Sequence, residues 1–173
     1  MNNLKYFFQS LIIIILFIIC KLLGLKFSSI LSGIIFSFLG PIFRSNNISK
    51  SNLTKALPEL NDFQKKRIIK EMWTNYGRIF AEYVFLKNFR NSKKIIIENQ
   101  NELDEIKKSS SPVIFVSGHF NNFEFMAMHL EKSGIDVAAI YRPLNNIFLN
   151  PLMEYLRKNY ICRKQIKKGI SGT

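Results

Sequence analysis

Apolar residues crowd into the first 43 positions of the chain, where charge is almost absent. Tyr6 to Cys20 carries no charge, and Leu11 to Ile19 is wholly apolar. A bilayer core needs about 20 apolar residues in one helix. Tyr6–Leu25 reaches that length if Lys21 extends its ammonium toward the headgroups. Lys21 and Lys26 interrupt the pattern, and a second uncharged stretch, Phe27–Phe43, follows with Gly and Ser mixed in. That stretch reads as a further span, a re-entrant segment or an interfacial helix. Residues 1–43 are therefore expected to be a membrane anchor. A cleaved signal peptide needs small residues at its cleavage site, and Ile18-Ile19-Cys20-Lys21 supplies none. Bulky Ile19 likewise argues against a lipoprotein site at Cys20.

Beyond the anchor, residues 44–173 read as one domain. Asn61-Asp62-Phe63-Gln64 has the form of a capping box. Ile69, Met72, Trp73, Tyr76, Phe80, Tyr83 and Val84 then recur at helical spacing, which predicts an amphipathic helix over Asp62–Lys87. A short run at Ile95–Ile97 and a polar helix near Glu102–Lys108 follow. Pro112-Val113-Ile114-Phe115-Val116, bounded by Ser and Gly, predicts a short buried strand. A helix over Asn122–Lys132, a break at Gly134 and an apolar run at Val137–Tyr141 complete a strand–helix–strand unit with parallel strands. Pro151 suits the first turn of another helix, reaching Tyr160. The fold class is α/β: a membrane helix followed by a βαβ domain.

Charge sharpens the choice of partner. With 25 Lys and Arg against 12 Asp and Glu, the net charge is +13, so an anionic surface is expected. Nucleic acid would satisfy the charge, but it needs no apolar N-terminus. The membrane is therefore preferred and nucleic acid is not expected. Arg44, Lys50, Lys55, Lys65, Lys66 and Arg67 gather just after the apolar region, which places the body on the cytoplasmic side of the membrane. Cys20 and Cys162 lie far apart, one inside the apolar stretch, so no disulfide framework is expected.

The chemistry concentrates in Ser117-Gly118-His119-Phe120-Asn121-Asn122-Phe123-Glu124, between a predicted strand and a predicted helix. Ligands in open α/β sheets bind outside the carboxyl ends of strands. Gly118 permits a tight turn and close approach of substrate. Among these side chains only an imidazole serves as a base near neutral pH without large perturbation, so His119 is the candidate base. Glu124, in the first helical turn, can orient that imidazole if the loop turns back. The substrate's own hydroxyl would then be the nucleophile. The plainer reading makes His119 a capping or core residue and Glu124 a complement to the helix dipole. His129 reads as structural. Nothing near it has metal-ligand spacing, and no metal or organic cofactor is expected.

This stretch resembles the His-x4-Asp/Glu motif of glycerolipid acyltransferases. Gly118-His119-Phe120, Asn122 and Glu124 resemble more closely the signature of bacterial lipid A biosynthesis acyltransferases, the lauroyl and myristoyl transferases. Tyr141-Arg142-Pro143-Leu144-Asn145-Asn146, Asn52-Leu53, Leu57-Pro58-Glu59 and Glu82 are similar to further segments of that family. The chain departs from it at Asn121, where glycine is common, at Phe123, where tryptophan is, and at Leu57, where phenylalanine is. The resemblance implies His119 as general base, Glu124 as its partner, and Gly118, Asn122, Arg142 and Arg157 around the substrate. The two guanidiniums suit the phosphates of a glucosamine disaccharide. It implies transfer of a fatty-acyl group from a thioester on acyl carrier protein to a hydroxyl of a lipid A precursor, an anionic glycolipid, at the bacterial inner membrane.

Two other readings compete: acylation of a different membrane lipid, and a non-catalytic, membrane-anchored anion-binding protein. The resemblance also implies that 1–173 is the N-terminal portion of a longer enzyme, inactive alone. Val113–Val116 and Val137–Tyr141 would then be partly exposed at the edge of an unfinished sheet.

Overall fold

The computed structural model describes residues 2–43, 45–93, 95–109 and 111–169. Arg44, counted above among the basic residues, and the tail Ile170–Thr173 lie outside them. Contacts divide the chain into two compact units, Leu16–Val84 and Met1–Ile15 with Phe85–Thr173.

The first unit is built around the part of the apolar helix α1 (Asn2–Phe43) from Leu16 onward, whose regular backbone breaks at Gly24, with φ 76° and ψ 163°. Only glycine adopts that conformation without steric cost. The break is a reversal of the chain. Cys20 and Ser32, twelve positions apart, bring Sγ and Oγ to 3.8 Å, whereas a straight helix would separate them by about 18 Å. Phe17 and Phe36 meet Phe80 from either side of the break, at 5.0 and 5.4 Å between ring centroids. The two predicted apolar segments are thus helical limbs of one hairpin. The interruption expected at Lys21 and Lys26 falls between them, at Gly24. Ser28 turns its hydroxyl back onto the Gly24 carbonyl at 2.8 Å, so a polar group in the apolar limb is satisfied internally. By length and composition α1 is long and apolar enough to cross a membrane.

Against the second limb lies α3 (Asp62–Glu82), preceded by α2 (Asn47–Ala56). The predicted capping box is formed. Asn61 accepts from the Gln64 backbone N–H, and the Gln64 side chain accepts from that of Asn61, each at 2.9 Å. Trp73 Nε1 donates to Asn46 Oδ1 at 2.8 Å, tying α3 to the start of α2. Contact between α3 and α1 is at backbone level. A Cβ on Gly77 would collide with the Ser32 carbonyl and Phe36 Cβ. Small residues admit such approach between apolar helices.

The predicted long helix does not continue to Lys87. It ends at Glu82, tightens through a 3₁₀ turn over Tyr83–Phe85, and resumes as α4 (Leu86–Asn91). The change of pitch turns two consecutive side chains, Phe85 and Leu86, into the interior, which a continuous α-helix would hold about 100° apart.

The second unit contains α1 up to Ile15, α4, α5 (Gln100–Lys108), α6 (Glu124–Lys132), β1 (Ala138–Tyr141), α7 (Asn150–Tyr160) and β2 (Lys164–Lys167). β1 and β2 pair in parallel, Ala138 opposite Lys164 and Tyr141 opposite Lys167. A βαβ unit is present, but it is β1–α7–β2. The strand predicted over Pro112–Val116 is not formed. That segment joins no sheet, and Ile114 and Val116 are each 88% exposed. A β-branched run specifies a strand only where a neighbouring edge accepts its backbone, and here a cavity separates it from β1. Ile96, in the short run after α4, is likewise exposed. Strand β2 carried no signal in the sequence, since Lys-Gln-Ile-Lys has one apolar residue. Among the described residues the protein is mostly helical, with one two-stranded parallel sheet.

Gly77→Ala should destabilise the first unit by about 1–3 kcal/mol, the usual cost of forcing atoms into packed helices. The obstruction is backbone rather than a side chain that could swing aside. A melting temperature in detergent that matches the unsubstituted protein would refute this close contact.

Candidate active site

The approach to α6 sets the site. Gly118, His119 and Phe120 are exposed in the irregular segment before the helix. Asn121 follows with φ 44°, the left-handed region that glycine prefers and asparagine tolerates best among other residues. The replacement of a common glycine by Asn121 is therefore compatible with the turn. Asn122 is buried, and Phe123 brings its ring to 4.4 Å from the His119 imidazole. Glu124 opens α6 with its carboxylate buried.

Glu124 pairs with a guanidinium. Its Oε1 accepts two hydrogen bonds from Arg157 on α7, from Nε at 2.9 Å and Nη2 at 2.8 Å. The carboxylate expected to orient the imidazole is thus engaged by a guanidinium expected to bind substrate, 33 positions away. The reason is electrostatic. A carboxylate removed from water requires a countercharge, and the side chains of Glu124 and Arg157 are only 9% and 16% exposed.

Arg157 is itself held. Its guanidinium carbon lies 5.9 Å from the ring centre of Tyr141, the last residue of β1. The Tyr141 hydroxyl donates to Glu154 Oε1 at 2.7 Å, where Asn150 Nδ2 also donates at 2.9 Å and Lys167 Nζ approaches to 3.3 Å. Burial first, and then that bond to Glu154, pushes the Tyr141 hydroxyl up to about 12. The Tyr141 hydroxyl first, then the Asn150 amide, holds Glu154 down to about 2, with Lys167 adding to the effect against a smaller opposing effect of burial. Tyr141 and Glu154 were not among the sequence candidates. Their signal was the spacing Asn150, Glu154 and Arg157, which puts all three on one face of α7.

Gly118, His119, Glu124, Arg142 and Arg157 line one cavity of about 1010 Å³, between the 111–119 segment, α6 and the sheet. Arg142 is exposed on it, immediately after β1. Asn122 is buried and is not among the lining residues. The cavity is at the upper end of the range for small-molecule sites, about 300–1,000 Å³. Its walls are mixed: Val113, Ile114, Ile140 and Ile166 are apolar, and the two arginines are cationic. It can take a long apolar chain beside an anionic group, with an imidazole at hand. His129, half-buried on α6, is held below its usual range by burial first and then by Lys132.

A family profile for bacterial lipid A biosynthesis acyltransferases matches residues 1–167, almost the whole chain. No curated protein and no solved structure matches the chain.

Arg157→Met should destabilise the fold by about 3 kcal/mol, because it leaves the buried Glu124 carboxylate without its guanidinium. Adding Glu124→Gln should recover part of that loss in a double-mutant cycle on detergent-solubilised protein. Strictly additive losses would refute the coupling. Glu154, lowered from 4.5 to about 2, contributes stability that is complete above pH 4.5 and is lost as pH falls through 2. Glu154→Gln should therefore lose less stability than the unsubstituted protein over that interval. Parallel stability–pH curves would count against the Tyr141–Glu154 bond.

Proposed function

The chain belongs to the bacterial lipid A biosynthesis acyltransferase family, and from that premise we propose that it transfers a fatty-acyl group from a thioester on acyl carrier protein to a hydroxyl of an anionic lipid A precursor. The observation that carries the reading is the convergence of His119, Arg142, Arg157 and Glu124 on one large cavity whose walls are partly apolar. On this proposal the catalytic residues are His119 and Glu124, with Gly118, Asn122, Arg142 and Arg157 serving the substrates. The α/β architecture implied by the motif is proposed for the catalytic domain.

In the proposed reaction the acceptor oxygen attacks the thioester carbonyl carbon while His119 takes the hydroxyl proton. The tetrahedral oxyanion collapses, the carbon–sulfur bond breaks, and the leaving thiolate recovers the proton from the imidazolium. The start of α6, which follows the His119 segment in the chain, is the proposed source of oxyanion stabilisation. Arg142, exposed at the mouth, suits an acceptor phosphate as a planar donor. Arg157 pairs with Glu124 in the structure. An acceptor phosphate competing for that guanidinium would free the carboxylate to steady the imidazolium. The net charge of +13 favours both an acidic carrier protein and an anionic membrane. The apolar α1 supports attachment to the inner membrane, with residues 1–43 as anchor and the site on the cytoplasmic side.

His119→Ala should lower the turnover of a hydroxyacylated, phosphorylated acceptor by about 10²–10⁴, the usual contribution of a general base. Folding and membrane association should be unchanged. Turnover near that of the unsubstituted enzyme would remove His119 from the mechanism.

A further inference from the structure

Between β1 and α7 the chain crosses a loop, Pro143–Leu149, whose surface is unusual for a water-facing connection. Ile147 is 56% exposed and Phe148 44% exposed, with Leu144 also exposed beside them. These residues do not stand alone. Phe148 packs edge-on against Phe7 of α1, with ring centres 5.7 Å apart. Around that contact Leu4, Phe8, Leu11 and Ile12 of α1 are exposed as well. Loop and helix thus present one continuous apolar surface, well beyond the scattered single side chains of an ordinary exterior.

The second observation concerns the backbone. Water normally satisfies the N–H groups of an exposed loop, so they need no internal acceptor. In this loop the N–H groups of Leu144, Phe148 and Leu149 are satisfied within the protein. Asn146 Oδ1 accepts from the N–H groups of Phe148 at 3.0 Å and Leu149 at 3.1 Å. The Leu144 N–H donates to Asn150 Oδ1 at 2.8 Å, and the Asn150 N–H to the Asn146 carbonyl at 3.0 Å. The same Asn146 fastens the loop to α1. Its Nδ2 donates to the Tyr6 carbonyl at 2.9 Å, and its Oδ1 accepts from the buried Ser10 hydroxyl at 2.9 Å. Apolar side chains outside and internally bonded amides at three positions suit a non-helical segment in the interfacial zone, where water and headgroups meet the remaining polar groups.

We propose that Pro143–Leu149 enters the interfacial zone of the lipid bilayer beside the first turns of α1. The proposal rests on reading α1 as a membrane anchor and deepens that reading by assigning the adjoining loop to the lipid. Depth follows from the attachment points. Tyr6 and Ser10 are one helical turn apart, about 6 Å, next to Lys5 at the charged end of the helix. The loop therefore lies at the level of the glycerol groups and upper acyl chains, where Tyr and Lys side chains also settle. Arg142, immediately before the loop and on the cavity, is held at headgroup height. There its charge meets lipid phosphate.

The test uses the full chain reconstituted into vesicles of phosphatidylethanolamine and phosphatidylglycerol. An environment-sensitive fluorophore is attached at Ile147→Cys, at Ile12→Cys on α1, or at Glu102→Cys on α5. The unsubstituted chain, whose Cys20 and Cys162 are buried, provides the labelling blank. Spin-labelled lipid should quench the probe at positions 147 and 12 several-fold more than at 102, with iodide in the aqueous phase giving the opposite order. A probe at 147 that behaves like the one at 102, while 12 is quenched by lipid, would overturn the loop assignment and leave the anchor standing. Aqueous behaviour at both 147 and 12 would overturn the anchor and the loop together. A circular dichroism spectrum matching the unsubstituted chain shows that labelling has not unfolded the variant.

Discussion

A carboxylate withdrawn from water must be met by a positive charge, and α6 carries one near each end. Glu124 in the first turn is met by Arg157. Glu131 in the last turn is met by Arg90 at 2.7 Å, from α4, and by Arg163 at 3.0 Å, from the turn before β2. Burial would raise Glu131, but the Arg163 backbone N–H and the two guanidiniums together hold it below the usual carboxylate range. Nine residues of helix are thus fixed at both ends to elements distant in sequence. The helix cannot slide or rotate without uncovering a buried charge, and breaking such a pair is strongly unfavourable. The segment bearing His119 leads directly into the helix so fixed.

This arrangement accounts for how much of the fold was legible in the sequence. Local signals were reliable. The capping box at Asn61, Pro151 in the first turn of α7, the polar helix α5 and the strand ending at Tyr141 each depend on residues within a few positions of one another. Non-local choices were not legible. The hydrogen bonds from Arg157 to Glu124 join two helices 33 positions apart, and no spacing in the sequence announced them. The apolar run Pro112–Val116 has the composition of a strand, but strand formation requires an edge to receive its backbone. No property of the run itself supplies one. At α3 the hydrophobic period carried through Val84, and it could not reveal the 3₁₀ turn that brings Phe85 and Leu86 inward together.

The candidate site was legible as a set of residues rather than as a set of contacts. Gly118, His119, Glu124, Arg142 and Arg157 line one cavity, although they span forty positions of chain. The motif could not convey that Arg157 is braced by a second polar system, in which Tyr141 and Asn150 converge on Glu154. A guanidinium with one face toward an aromatic ring and its donors on a carboxylate has little freedom to wander. It is therefore already positioned for an arriving anion, and less conformational entropy has to be lost on binding.

The reversal at Gly24 bears on how the apolar region would enter a bilayer. A single spanning helix delivers its far end, and whatever follows it, to the opposite compartment. Two limbs folded against one another deliver only a tip, here the few residues around Gly24 with Lys21 on one side and Lys26 on the other. No hydrophilic domain then has to be carried through the hydrocarbon, and the polar cost of insertion is concentrated in those two ammonium groups. The depth the hairpin reaches becomes a question of where those two cations come to rest.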